Sequence, residues 1–106
     1  MKGFCLTFYT YEFQKHHETL VYEWLLESAR KHEIPGGIAI KAIAGYGHHK
    51  HLHEEHFFEL ASNTPVEVHF IVKKEESDLL LKLVKESKIN LFYSLQETEY
   101  GYLNES

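Results

Sequence analysis

Apolar spacing along this chain alternates between a period of two and a helical period, in the order strand, helix, strand, strand, helix, strand. Residues 3–10 alternate, with Phe4, Leu6 and Phe8 on one face and Cys5, Thr7 and Tyr9 on the other. Residues 16–32 change to helical spacing through Leu20, Val21, Trp24, Leu25 and Ala29. Pro35-Gly36-Gly37 is expected to stop that helix and turn the chain. A second strand is expected over 38–44, with Lys41 its only charge. Ser62-Asn63-Thr64-Pro65 reads as a turn, Val66 to Val72 alternates as a third strand, and 75–87 returns to helical spacing. Ile89 to Glu97 alternates again as a fourth strand.

Two right-handed βαβ units sharing one antiparallel sheet predict an α+β, ferredoxin-like βαββαβ sandwich with both helices on one face. The 106 residues suit one domain, 1–106, small enough to profit from oligomerisation. Apolar or aromatic residues fall on both faces of the strands, so the face without helices is expected to be covered by another subunit.

Between the second and third strands lies Ala44-Gly45-Tyr46-Gly47-His48-His49-Lys50-His51-Leu52-His53-Glu54-Glu55-His56, the densest concentration of titratable groups in the chain. A Gly-x-Gly after a strand can bring backbone N–H groups to an anion. In extended conformation His49, His51 and His53 share a side; in a helix His49, His53 and His56 do. Either arrangement offers imidazoles to zinc, copper or nickel, and a solvated polar loop is the bland alternative. Lys41, in its apolar strand, is expected to snorkel outward, to pair with a carboxylate such as Glu67, or to face a cleft between subunits.

The formal charge of −5, with ten lysines and the single arginine Arg30, argues against nucleic-acid binding. The single cysteine, Cys5, cannot form an intrachain disulfide and reads as a small buried hydrophobe. No apolar run approaches the length of a membrane span and no leader pattern is evident, so no membrane insertion and a cytoplasmic location are expected. His16-His17 reads as a loop or cap, His69 as a structural strand residue, and Tyr100-Gly101-Tyr102 as a frayed tail.

Several stretches resemble the small bacterial and archaeal branch of the PII-like signalling proteins. They are Leu20–Arg30, Ile34–His49 with its Ile-Pro-Gly-Gly and Ala-Gly-Tyr-Gly-His-His passages, Leu52-His53, and Leu60-Ala61-Ser62-Asn63-Thr64-Pro65-Val66-Glu67-Val68. The likeness extends over about residues 3 to 100. It implies a homotrimer with sheets facing inward, ligand clefts between subunits, and a mobile loop, about 45–60, after the second strand. A PII-like protein is a non-enzymatic sensor that takes part in signal transduction. It binds a small anionic effector, here most simply an adenine nucleotide, and docks its loop on a transporter, channel or enzyme.

By position the resemblance carries nucleotide or anion contacts onto Gly47, His49 and Lys50; for such an effector Gly45 is expected to let the backbone approach phosphate, Lys41 and Lys88 to supply charge, and His48 to hydrogen-bond the ligand. The better-known PII proteins carry a Gly-rich loop before the last strand, whereas Glu86-Ser87-Lys88-Ile89-Asn90 keeps only the lysine. They also carry a modifiable tyrosine at the loop tip that has no counterpart in Glu54-Glu55-His56-Phe57-Phe58. The alternative is a divalent-metal-binding trimer resembling the divalent-cation tolerance proteins, with His49, His51, His53 and His56 as ligands. No nucleophile, base and orienting group stand together in the sequence to suggest an enzyme.

Overall fold

The computed structural model describes residues 1–46 and 63–104. The elements run β1 (Lys2–Tyr11), β2 (Lys15–His16), β3 (Thr19–Leu20), α1 (Val21–Lys31), β4 (Ile38–Lys41), β5 (Pro65–Val72), α2 (Lys74–Ser87) and β6 (Phe92–Glu99). The main sheet has the order β4-β5-β1-β6 with antiparallel pairing throughout. With the β2–β3 hairpin set aside, this is the expected ferredoxin-like βαββαβ arrangement.

Register divides the sheet into two unlike faces. Leu6 pairs with Phe70 and Leu95, and Phe8 with Val68 and Tyr93, so these side chains share a face. Val21, Leu25 and Ala29 of α1, and Leu80 and Val84 of α2, pack on that face. The recurrence of apolar residues at three- and four-residue spacing is what gives each helix its buried stripe. Phe8 and Phe70 meet edge-on, their ring centroids 6.3 Å apart. Gly37 lies so close to the Phe70 ring that an added Cβ would stand 2.4 Å from it. The small residue lets the chain enter β4 against the core.

Helix α1 begins later than its hydrophobic spacing implies. Residues 15–20 form a miniature hairpin, with Lys15 opposite Leu20 and His16 opposite Thr19. His17 and Glu18 at its tip both take left-handed backbone, φ 52° and 69°, as a two-residue turn between twisted strands requires. No Asn-Gly pair announces this turn. The His16 and His17 rings stack at 4.1 Å, and His16 meets Trp24 edge-on. The hairpin also directs the Val21 N–H to the Gln14 carbonyl, 2.8 Å away, which satisfies one of the otherwise unpaired donors at the helix start.

The helix then ends before Pro35-Gly36-Gly37. Glu33 takes the left-handed conformation (φ 64°) and its N–H donates to the Arg30 carbonyl, while the Ile34 N–H reaches Ala29 O at 3.0 Å. That pair of bonds closes the last turn without glycine. Lys88 ends α2 in the same left-handed way, φ 66°, with its N–H on Lys85 O. At the start of α2 the Glu76 carboxylate accepts the Lys73 N–H at 2.8 Å.

Three boundaries depart from the sequence reading. Strand β4 stops at Lys41 instead of 44: Ala42 N–H still bonds Pro65 O in register at 2.9 Å, but Pro65 has no N–H to return the bond. Strand β6 starts at Phe92 instead of Ile89 and runs on to Glu99, since β1 supplies partners as far as Lys2. Nor is Tyr100 frayed: its N–H bonds Met1 O, and the Met1 amino group donates to Tyr100 O at 2.8 Å. No helix of the described residues is long and apolar enough to cross a membrane.

Candidate functional site

The ends of four strands gather at one end of the sheet. Lys41 pairs with Val66, Thr10 with Val66, and Tyr9 with Phe92, so the end of β4, the start of β5, the end of β1 and the start of β6 lie in a row. The segment between β4 and β5 leaves and re-enters the sheet here. Its two roots are tied down: Ala42 N–H to Pro65 O, Glu12 N–H to Thr64 O at 2.8 Å, and Phe13 N–H to Asn63 Oδ1 at 3.0 Å. These bonds hold residues 63–65 against the β1 exit and fix where the segment is presented.

A hollow of about 290 Å³ opens at this end. Tyr9, Tyr11, Gly45, Tyr46, Pro65 and Phe92 are among the residues lining it. Gly45 packs loosely on the Pro65 ring, an added Cβ standing 3.4 Å away. Burial pushes the Tyr11 phenol above its ordinary pKa, which keeps it neutral and able to donate a hydrogen bond at physiological pH. Rings and amides of this kind suit a flat, partly polar ligand. A phosphate would need charge from outside the hollow, because neither lysine nor arginine lines it.

That charge lies at the flanks. Lys41 stands on edge strand β4, mostly exposed, with Nζ 3.2 Å from Glu12 Oε1. Its partner is therefore Glu12. Glu67, the carboxylate named from the sequence, faces the opposite side of the sheet. Lys88, exposed, caps α2 four residues before β6, the other edge strand, whose first residues lie at this end of the sheet. Three interstrand spacings, about 14 Å, separate the two edge strands. Gly47, His48, His49, Lys50, His51, His53 and His56 lie outside the described residues.

The face of the sheet away from the helices carries Ile38, Ile40, Ile71 and Phe92, all 42–57 % exposed. Around its centre is a polar chain that sequence reasoning did not assemble. Glu67 Oε1 accepts from His69 Nε2 at 2.8 Å, and His69 Nδ1 lies 3.2 Å from Thr7 Oγ1 and 3.9 Å from Cys5 Sγ. Thr7 is directly opposite His69 in the β1–β5 register, and Glu67 and Cys5 are each two residues along on the same face. The signal was available as period-two alternation, but only the register joins two strands more than sixty residues apart. Cys5 is thus half-buried on the open face and not a core hydrophobe, since its strand turns that side away from the helices. Among the described residues, no group of three or more His, Cys, Asp or Glu is placed to hold a metal ion.

The sequence matches the model of the DUF190 family, described as "Uncharacterized ACR, COG1993", over residues 3–99. The chain belongs to the DUF190 family. A UPF0166 protein of Aquifex aeolicus (strain VF5) is 35% identical to this DUF190 chain over 82 residues, 77% of each sequence. Among solved structures the fold is similar to a protein from Thermus thermophilus, provisionally named as a PII-like signaling protein. The TM-score is 0.61 at 10% identity, covering 92% of this chain and 87% of that one. At that identity the likeness is one of fold, and it agrees with the ferredoxin-like, PII-like architecture described above.

Proposed function

We propose that this DUF190 chain is a non-enzymatic, PII-like regulatory protein. In this reading it assembles as a trimer, binds a small anionic effector such as an adenine nucleotide between subunits, and signals through the 45–60 segment to a transporter, channel or enzyme. The observation that carries the reading is that Lys41 ends one edge strand, β4, and Lys88 shortly precedes the other, β6, which starts at the same end of the sheet. A ring of subunits brings one chain's β4 edge beside its neighbour's β6 edge. The two lysines then flank one cleft, with the hollow lined by Tyr9, Tyr46 and Phe92 beside them to take a flat base. Gly45, Gly47, His48, His49 and Lys50, in or next to the segment that leaves this end, complete the proposed contact set. The exposed isoleucines and Phe92 on the open face supply an apolar surface for the assembly.

The Glu67–His69–Thr7 chain has the order carboxylate, imidazole, hydroxyl, which in other settings activates a nucleophile. Here Thr7 is only 4% exposed and lies mid-strand in β1, which is paired along both edges. Its neighbouring backbone N–H groups are spent in the ladders and offer no oxyanion donors. A non-enzymatic role follows more simply.

Native mass spectrometry of tag-free, chelator-treated protein with ATP, ADP or AMP and magnesium tests the proposal. A trimer carrying one nucleotide per subunit is the expected result, with affinity lost in Lys41→Ala and in Lys88→Ala. A trimer indifferent to all three nucleotides overturns the effector assignment, and the 48–56 histidines with zinc or copper become the next ligands to test. A monomer overturns the intersubunit cleft itself.

A further inference from the structure

Gln14 is held at every polar atom but one. Its backbone N–H donates to Tyr11 O at 3.1 Å, and its carbonyl accepts the Val21 N–H at 2.8 Å. Its side-chain Oε1 accepts the Thr10 hydroxyl at 2.6 Å, and Thr10 itself is only 3% exposed. An amide anchored through its oxygen presents its NH2 group, which has two donors and no acceptor. Gln14 lines the hollow at the loop end of the sheet, and among the described residues its Nε2 has no partner. We propose that Gln14 is the specificity-determining residue of that hollow, its amide donating to an acceptor nitrogen on a neutral, planar heterocycle that forms the base of the effector. The inference rests on the nucleotide reading given above, and it uses groups of one chain only.

The rest of the lining fits the same occupant. The Tyr9 and Phe92 rings, with centroids 5.3 Å apart, give an apolar surface on which a flat ring can stack. The Tyr11 phenol, kept protonated by its burial, adds a second donor. Glu67 also lines the hollow, with no lysine or arginine among the described lining residues, and a carboxylate there opposes the entry of phosphate. At about 290 Å³ the hollow is at the small end of ligand pockets. The base therefore enters, and the phosphates stay outside on the flank where Lys41 ends β4.

Thr10 is the positioning residue. Its hydroxyl decides which end of the Gln14 amide is free, so the donor is in place before the ligand arrives and costs little ordering on binding. A ring that lacks the acceptor leaves Nε2 desolvated without a bond, and such a ring is disfavoured.

Calorimetric titration of the chelator-treated full chain with magnesium and ATP, or with its 1-deaza, 3-deaza and 7-deaza analogues, tests this assignment. One of the three analogues, each lacking a single ring nitrogen, is expected to bind about 3–10-fold more weakly than ATP. Gln14→Met should bind that analogue and ATP equally, because the donor is gone from both complexes. Gln14→Glu keeps the bond from Thr10 but replaces the donor with an acceptor, and should bind ATP more weakly than Gln14→Met does. Thr10→Val should erase the discrimination and Thr10→Ser should preserve it, with circular dichroism unchanged in both. Equal binding of ATP and all three analogues by the unaltered chain overturns the proposal, as does undiminished discrimination in Gln14→Met. An unaltered chain that binds none of the four overturns the nucleotide reading and this inference together. Failure of the base contact alone is thereby distinguishable from failure of the effector assignment.

Discussion

The two faces of the sheet are cut from the same strands and solve opposite problems. Leu6, Phe8, Val68, Phe70 and Val72 on the helix side are all but inaccessible, and their apolar neighbours on α1 and α2 complete a dry core. One residue along each strand, Cys5, Thr7, Glu67 and His69 form a connected polar chain, with exposed isoleucines beside it. The covered face holds the fold together through removal of apolar surface from water. The open face contributes less to folding of a single chain and leaves polar groups and apolar contact area accessible. The dry core and the polar chain are therefore separated by the pleat, at single-residue resolution.

That contrast can be broken most forcefully from the covered side. Phe70→Ala removes a ring packed against Phe8 and beneath Gly37, and should cost about 3–5 kcal/mol in denaturant unfolding. A loss much below that would mean the helix face is not the principal core. Gly37→Ala probes the same contact from the other direction. The added methyl group meets the Phe70 ring and should cost about 1–3 kcal/mol by overpacking.

On the open side, Ile40→Lys together with Ile71→Glu should leave the unfolding midpoint of the isolated chain nearly unchanged while dissociating the assembly. Analytical ultracentrifugation reads the second effect. An oligomer that survives both charges would show that its interface lies elsewhere. Smaller still is the exposed Lys41–Glu12 pair: Glu12→Gln should change stability by less than about 1 kcal/mol, yet alter anion affinity if Lys41 serves the cleft.

The smallest expected effect is the surface pair on α1. The hydrogen bond from Arg30 holds the Glu27 carboxyl below its ordinary pKa. Its contribution is therefore present above the unfolded carboxylate pKa, about 4.3, and lost as pH falls through the folded value. Any stability difference between Arg30→Met and the parent at neutral pH should vanish in strong acid, as thermal melts at the two pH values would show.

Much of this architecture was legible in the chain before folding. Period-two alternation around Leu6 and Val68, helical spacing through Leu25 and Leu80, and the order of the segments are local properties, and they determined the ferredoxin-like arrangement and its two-faced sheet. Element ends were less legible. The His17-Glu18 turn and the left-handed Glu33 use residues with no strong preference for those conformations, and only the surrounding packing holds them there. Of the residues expected at the site, Lys41 and Gly45 are placed at the loop end and Lys88 shortly before β6, while Gly47 through His56 lie outside the described residues.

The choice of Glu12 as the partner of Lys41, and the meeting of Cys5 with His69, belonged to tertiary structure alone. Alternation can say that Lys41 and Glu67 sit on strands, and that Cys5 and His69 each face one side. Which strands become neighbours, and in what register, is decided by the crossover helices and by core packing across the whole chain. A shift of one residue in that register would have turned His69 toward the core, so this chemistry exists only once the sheet is assembled.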